Sequence, residues 1–341
     1  VRRAYLCGDD PVTGRNFDHR KQWLVTRIKQ LSAQFAVDVC AYAVMSNHYH
    51  LVLHVDQPAA QSWSNEEVIR RWTGLFPRNA TLVETLIKNK SSKAARKLLQ
   101  LRVELWRQRL VDISWFMRCV NETVARDANR EDQCSGRFWE GRFKSQALLD
   151  EKALVTCMAY VDLNPIRAGM AGTLDTSDFT SIQERLIEQA KKLKKRSYGQ
   201  HRLLTDQATK HLVGHQPGAK QAKLIGLTDI KKSFDNVIPI STKSYVDLLN
   251  VTAQALLLGY SHQTKAKRLL DDHVQTLAKF GVSSDTWLTS VRDFHKHYAI
   301  AAGSAESLLQ YHQSRIKVGV DFKHPHKWIR GINSSKLFYG T

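Results

Sequence analysis

His48 and His50 stand one residue apart in the stretch Met45-Ser46-Asn47-His48-Tyr49-His50-Leu51-Val52-Leu53-His54-Val55. Strand side chains alternate between faces. Tyr49, Leu51, Leu53 and Val55 therefore share an apolar face, and His48, His50 and His54 share the other. Two imidazoles side by side on rigid backbone are what a divalent cation needs from its first two ligands. The same pattern also describes the solvated face of a half-buried strand, so the chemistry depends on a third ligand and a reacting group from elsewhere. His54, further along the face, reads either as an auxiliary group near a bound phosphate or as an ordinary solvent-facing histidine.

A helix starting at Asp150 supplies candidates for both. Asp150 suits the N-cap, Glu151 suits the positive helix end, and Leu154, Cys157, Met158 and Val161 form an apolar stripe. Tyr160 and Asn164 lie beside that stripe four residues apart, one turn above each other. Packed against the histidine face, this helix would present a phenol and an amide oxygen together. Pro165 disfavours helical backbone at Asn164, which reads as a frayed end or a cap. Asp162 reads as an exposed helix acid, and Tyr49 as core.

Three pieces now stand in order: His48-Tyr49-His50; Phe138-Trp139 with Arg142-Phe143-Lys144-Ser145; and Tyr160-Val161-Asp162-Leu163-Asn164-Pro165-Ile166-Arg167-Ala168-Gly169. Together they resemble the REP-associated tyrosine transposases, a branch of the single-tyrosine HUH transposases, over roughly half the chain. The resemblance implies a metal-dependent nuclease and strand transferase acting on single-stranded DNA at the foot of an imperfect hairpin. By position it makes His48 and His50 the metal ligands, Tyr160 the nucleophile and Asn164 the third ligand, where related enzymes often carry Gln. The implied cofactor is Mg²⁺ or Mn²⁺, a hard cation able to polarise a phosphate and absorb developing charge. A free phenol is a weak nucleophile at neutral pH, which is why such help is needed. Attack would leave a 5′-phosphotyrosine and a 3′-OH, and the retained ester lets a strand be rejoined without ATP. A non-catalytic hairpin-binding regulator on the same scaffold, and an HUH replication initiator or relaxase, are the alternatives. Relatives act as dimers or as monomers, which leaves the oligomeric state open.

Composition agrees with a polyanionic partner. The 341 residues carry 51 Lys and Arg against 32 Asp and Glu, a formal charge of +19, so the chain attracts nucleic acid and releases its counterions on binding. A membrane partner is not expected, because no run of about 18 apolar residues occurs. Five scattered cysteines without C-x-x-C spacing argue against a disulfide framework or thiolate zinc site. With no signal peptide in sight, a cytoplasmic, nucleoid-associated protein is expected.

The elements that must position the site follow from periodicity. The expected fold class is α+β: a ferredoxin-like HUH nuclease domain with a central antiparallel sheet over residues 1–175, then a mainly helical C-terminal domain. Residues 1–6 read as the end of a strand, residues 20–35 as an amphipathic helix, and residues 37–45 as a strand turning at Ser46-Asn47 into the histidine strand. A helix over 65–76 is followed by a basic helical insertion over about 80–112, which is either a solvated face or a phosphate-contacting arm. Residues 114–129 form another helix. Arg137, Trp139, Arg142 and Lys144 lead into a strand over 146–149, where cations and aromatics could grip phosphates and stack on bases or simply form a sheet's inner face. Arg167 and the run Lys194, Lys195, Arg196 complete the candidate DNA contacts. Residues 176–240 read as a basic helix and linker. Residues 241–341 read as helices that recognise duplex or hairpin DNA; Pro325 between His324 and His326 argues against a second metal pair there.

Overall fold

In the computed structural model, the described residues are 6–10, 13–89, 91–196, 222–228, 237–258, 263–297 and 300–317. Over these residues the chain is mixed α/β, mostly helical, with small sheets. The strand expected over 1–6 lies almost wholly outside them, as do the side chains of Lys194, Lys195 and Arg196 and the whole of His324 and His326.

The organising element is an antiparallel hairpin of β1 (Val37–Val44) and β2 (Tyr49–Val55), with Ala43 opposite His50 and Asp38 opposite His54. The register shifts between Val39 and Ala41. The inserted residue there, Cys40, is a β-bulge, and it reverses which face the following side chains take. Val37 and Val39 before the bulge, and Tyr42 and Val44 after it, join one apolar cluster; Cys40, Ala41, Ala43 and Val52 join a second. Both faces of the hairpin are therefore covered.

On the first face lies α1 (His19–Ser32), which buries Leu24, Val25, Ile28 and Leu31 at helical spacing. Beyond it come α2 (Gln57–Ser62), α3 (Asn65–Leu75), α4 (Arg78–Lys88), α5 (Lys93–Leu110) and α6 (Ile113–Glu131). Ser64 caps α3 by accepting from Glu67 N, with Glu66 and Glu67 in its first turn, where the sequence leaves the cap between Ser64 and Asn65. The basic insertion is α4 plus α5. Its inner residues Val83, Leu86, Val103 and Trp106 are core, with Trp106 stacked on Trp72 of α3 at 5.9 Å, while Lys93, Lys97 and Arg102 on its outer side are exposed. Arg20 of α1 is buried and ties that helix to the end of α6, its guanidinium bonding Glu131 and Asp132.

On the second face lies α7 (Glu151–Asp162), capped by Asp150 Oδ1 accepting from Ala153 N. Val155, Met158 and Ala159 of α7 share a cluster with Ala41, Ala43 and Val52. The same cluster takes in Tyr245, Leu248 and Leu249 of α10 (Thr242–Leu257) and Trp287 and Val291 of α13 (Ser284–His297). Between them run α8 (Asn164–Arg167), α9 (Ser181–Arg196), the short parallel pair β4 (Gly226–Leu227) and β5 (Val237–Ile238), α11 (Gln263–Leu269) and α12 (Val274–Ala278). The C-terminal helices thus pack into the core that carries Tyr160.

A strand is found within the expected 146–149, but its extent and its partner differ from the expectation. It shortens to β3 (Ala147–Leu148) and pairs in parallel with β6 (Ala301–Ala302), just before α14 (Ala305–Lys317), rather than with the hairpin. Ser304 N donates to Asp150 Oδ2 at 2.6 Å, and any Cβ at Gly303 would come within 2.9 Å of Leu149 Cβ. The edge the sequence leaves open is taken by a close-fitting segment about 150 residues downstream.

Candidate active site

The hairpin turn aims both imidazoles. Met45 N donates to His48 O at 2.9 Å, and Leu6 N and Cys7 N both donate to Ser46 O. His48 Nδ1 lies 2.5 Å from Asn47 Oδ1, an amide oxygen that can accept from a protonated Nδ1 and so suits the tautomer with a lone pair on Nε2. That Nε2 faces His50 Nε2 at 3.1 Å, the two rings edge-on with centroids 4.8 Å apart. Partial burial holds the His48 imidazole below its ordinary pKa, which favours the neutral, ligating form.

Tyr160 meets this pair from the opposite element. Its ring stands edge-on to His50 with centroids 5.7 Å apart, because Val155, Met158 and Ala159 seat α7 on the hairpin face that bears the histidines. Arg167 of α8 lies over the Tyr160 ring at 4.5 Å, and Phe294 of α13 packs against it at 5.6 Å. The structure therefore brings together His48, His50, Tyr160 and Arg167. Asn164 is half-buried one turn beyond Tyr160. It opens α8 instead of ending α7, and its side-chain amide makes no hydrogen bond among the described residues.

The pair fits one small divalent cation. Two nitrogens each about 2.1 Å from one ion, and 3.1 Å from each other, subtend about 95°, close to adjacent octahedral positions. Among the described residues no group of three His, Cys, Asp or Glu converges, so His48 and His50 are not joined there by a third ligand of those types.

Other expected contacts scatter. Arg137, Arg142 and Lys144 are exposed on an irregular loop. Trp139 turns half inward, donating Nε1–H to Asn121 O at 2.9 Å and packing against Tyr49, whose hydroxyl donates to Asn121 Oδ1. His54 sits across the hairpin from Asp38, its Nδ1 3.4 Å from Oδ2, and this hydrogen bond raises its pKa against the opposing effect of burial.

Asp162 is the clear correction. Read from the sequence as an exposed acid, it is fully buried and accepts from Ser181 Oγ, from Ile182 N at 3.0 Å and from Tyr245 OH at 2.7 Å. Burial pushes its carboxyl up to about 6, against the lowering effect of those donors. Phe294 and Tyr245 escaped the sequence reading because isolated aromatics on amphipathic helices carry no signal of what they touch. No family model matches the chain, and no curated protein and no solved structure matches it either.

Proposed function

We propose that the protein is a metal-dependent endonuclease and strand transferase acting on single-stranded DNA near a hairpin, with Tyr160 as nucleophile. The contact between the Tyr160 and His50 rings carries this reading, because it brings the phenol ring against one of the two paired imidazoles. His48 and His50 would hold Mg²⁺ or Mn²⁺, with Asn164 as third ligand; when bound, the cation would polarise the scissile phosphate. Tyr160 Oη loses its proton to solvent and attacks phosphorus, the bond from phosphorus to the 3′ oxygen breaks, and that oxygen takes up a proton from solvent to become a free 3′-OH. The phosphoryl group stays on Tyr160 until an attacking 3′-OH reverses the exchange. Arg167, which lies over the Tyr160 ring and whose buried Nη1 has no acceptor among the described residues, would donate to a phosphate oxygen, since a buried guanidinium nitrogen left unpaired is costly until an anion arrives.

The exposed Arg137, Arg142 and Lys144 would track the backbone of the bound strand. In this reading the hairpin of β1 and β2 is part of a ferredoxin-like sheet, and the C-terminal helices recognise folded DNA. The protein then works in the cytoplasm at the nucleoid; among the described residues no helix is long and apolar enough to cross a membrane. The test is incubation with Mn²⁺ or Mg²⁺ and labelled single strands from the flanks of its own gene. A covalent protein–DNA band is expected from the wild type and none from Tyr160→Phe. Hairpin binding without a covalent band under any such strand would instead support a non-catalytic regulator.

A further inference from the structure

The helix α13 is not continuous. Asp293 has φ −118° and ψ 26°, in the sparsely allowed bridge between the helical and extended regions, where active-site residues are often found. A straight helix directs each carbonyl along its axis to the amide four residues on. Here the carbonyl of Arg292, the residue before the break, accepts from Arg167 Nη2 at 2.6 Å. The residue after the break, Phe294, is 3 % exposed and packs against the Tyr160 ring at an interplanar angle of 33°. Arg167 lies over the same ring at 4.5 Å. One kink thus supplies two things to one phenol: an aromatic surface directly, and a carbonyl that anchors the cation over the ring.

We propose that Arg292–Phe294 and Arg167 form a seat that fixes the orientation of the Tyr160 ring against His50, making the C-terminal helix α13 a positioning part of the active site rather than a recognition module alone. The proposal rests on Tyr160 being the nucleophile. A half-exposed tyrosine has several staggered side-chain orientations open to it, and the one observed stands its ring against His50. An aromatic neighbour and a guanidinium plane restrict that freedom at little cost, because a guanidinium stacks on an aromatic ring while its edge keeps hydrogen bonding. An ammonium on a flexible stem meets the ring only as a point charge, with no planar face to lie against it. Arg167→Lys therefore keeps the charge and loses the seat.

The test combines single-turnover cleavage of a flanking hairpin strand with ¹⁹F NMR of 3-fluorotyrosine placed at position 160. The variants are Phe294→Leu, chosen to keep most of the buried volume, and Arg167→Lys. In each the cleavage rate at saturating strand is expected to fall 30- to 100-fold, about what a 1 Å misplacement of a reacting group costs. The strand concentration for half-maximal rate should stay within about threefold for Phe294→Leu, and the fluorine resonance should sharpen and move toward that of a free tyrosine. Rates and resonances within twofold of wild type in both variants, with wild type forming its covalent adduct, would overturn the seat and leave the nucleophile intact. A rate loss matched by an equal fall in melting midpoint in both variants, with the resonance unmoved, would also overturn it. A resonance that shifts in the variants of a protein that never forms an adduct would instead overturn the role of Tyr160 and keep the seat as packing.

Discussion

Tyr245 donates its hydroxyl to Asp162 Oδ2 at 2.7 Å, joining the first helix of the C-terminal region to the helix that carries Tyr160. Asp162 Oδ1 meanwhile accepts from Ser181 Oγ and Ile182 N at the start of α9. One carboxyl two residues from the candidate nucleophile thus holds three elements, and the neighbourhood of Tyr160 is tied to parts of the chain far beyond the hairpin.

Tyr245→Phe removes one of those donors and leaves a buried carboxylate oxygen without it, a loss of about 1–3 kcal/mol readable in urea unfolding at neutral pH. The effect should vary with pH in a fixed direction. The Asp162 carboxyl is raised from 3.8 to about 6 in the folded protein, so the folded state holds this proton more tightly than the unfolded one. Its contribution to stability is fully present below pH 4 and is lost as pH rises through about 6. Asp162→Asn should flatten the decline between pH 4 and 6 relative to wild type, and the penalty of Tyr245→Phe should be smaller at pH 4.5 than at pH 7.5. An unchanged pH profile in Asp162→Asn would show that the carboxyl is ionised throughout.

Arg20 offers a second measure of stability. It is 1 % exposed, bonds Glu131 and Asp132, and lies over the Phe17 ring at 4.0 Å. Removing one partner of a buried ionic cluster costs about 3–5 kcal/mol. Because Glu131 and Asp132 keep some contact with water, Arg20→Met should fall at the lower end, near 3 kcal/mol. A loss below 1 kcal/mol would mean the two carboxylates rehydrate freely.

How far the sequence leads depends on the reach of each interaction. The hairpin was legible because alternation is local: Tyr49, Leu51, Leu53 and Val55 pack against one core as the period of two requires, and Val52 against the other. The cap at Asp150 was legible for the same reason. The buried role of Asp162 was not, since its donors lie at Ser181, Ile182 and Tyr245. Nor was the fate of residues 146–149, whose partner strand at 301–302 is two residues long and carries no pattern. Within the site, the two histidines and the tyrosine follow from spacing, whereas Phe294 reaches the phenol only because α13 breaks at Asp293.

A cation at His48 and His50 should be visible without any DNA. A ligand that binds only the folded state stabilises it by about 2.7 kcal/mol at a hundred times its dissociation constant, so Mn²⁺ should raise the melting midpoint of wild type and not of His48→Ala or His50→Ala. Since burial lowers the His48 pKa, its ring stays neutral to lower pH than a free imidazole, and the Mn²⁺ shift should persist at pH 6. His54→Gln, altering a residue paired with Asp38 away from the site, should leave the shift and DNA cleavage unchanged. Equal Mn²⁺ shifts in wild type and both alanine variants would place the ion elsewhere, and the removal of metal by a chelator would then have no bearing on this pair.

The exposed loop gives the most quantitative check on the DNA partner. Arg137, Arg142 and Lys144 lie on irregular backbone beside Trp139, which is anchored inward through Asn121 O, so they project from a fixed base. Each phosphate contact to a single strand contributes about −0.7 to the slope of log affinity against log salt. Replacing all three by alanine should reduce the magnitude of that slope by about 2 and weaken binding most at low salt. The covalent adduct should still form at high strand concentration, because all three lie on the loop before β3 and not on the helix that carries Tyr160. If the slope is unchanged, the strand runs elsewhere on the basic surface, and the exposed Lys93, Lys97 and Arg102 of α5 become the next set to replace.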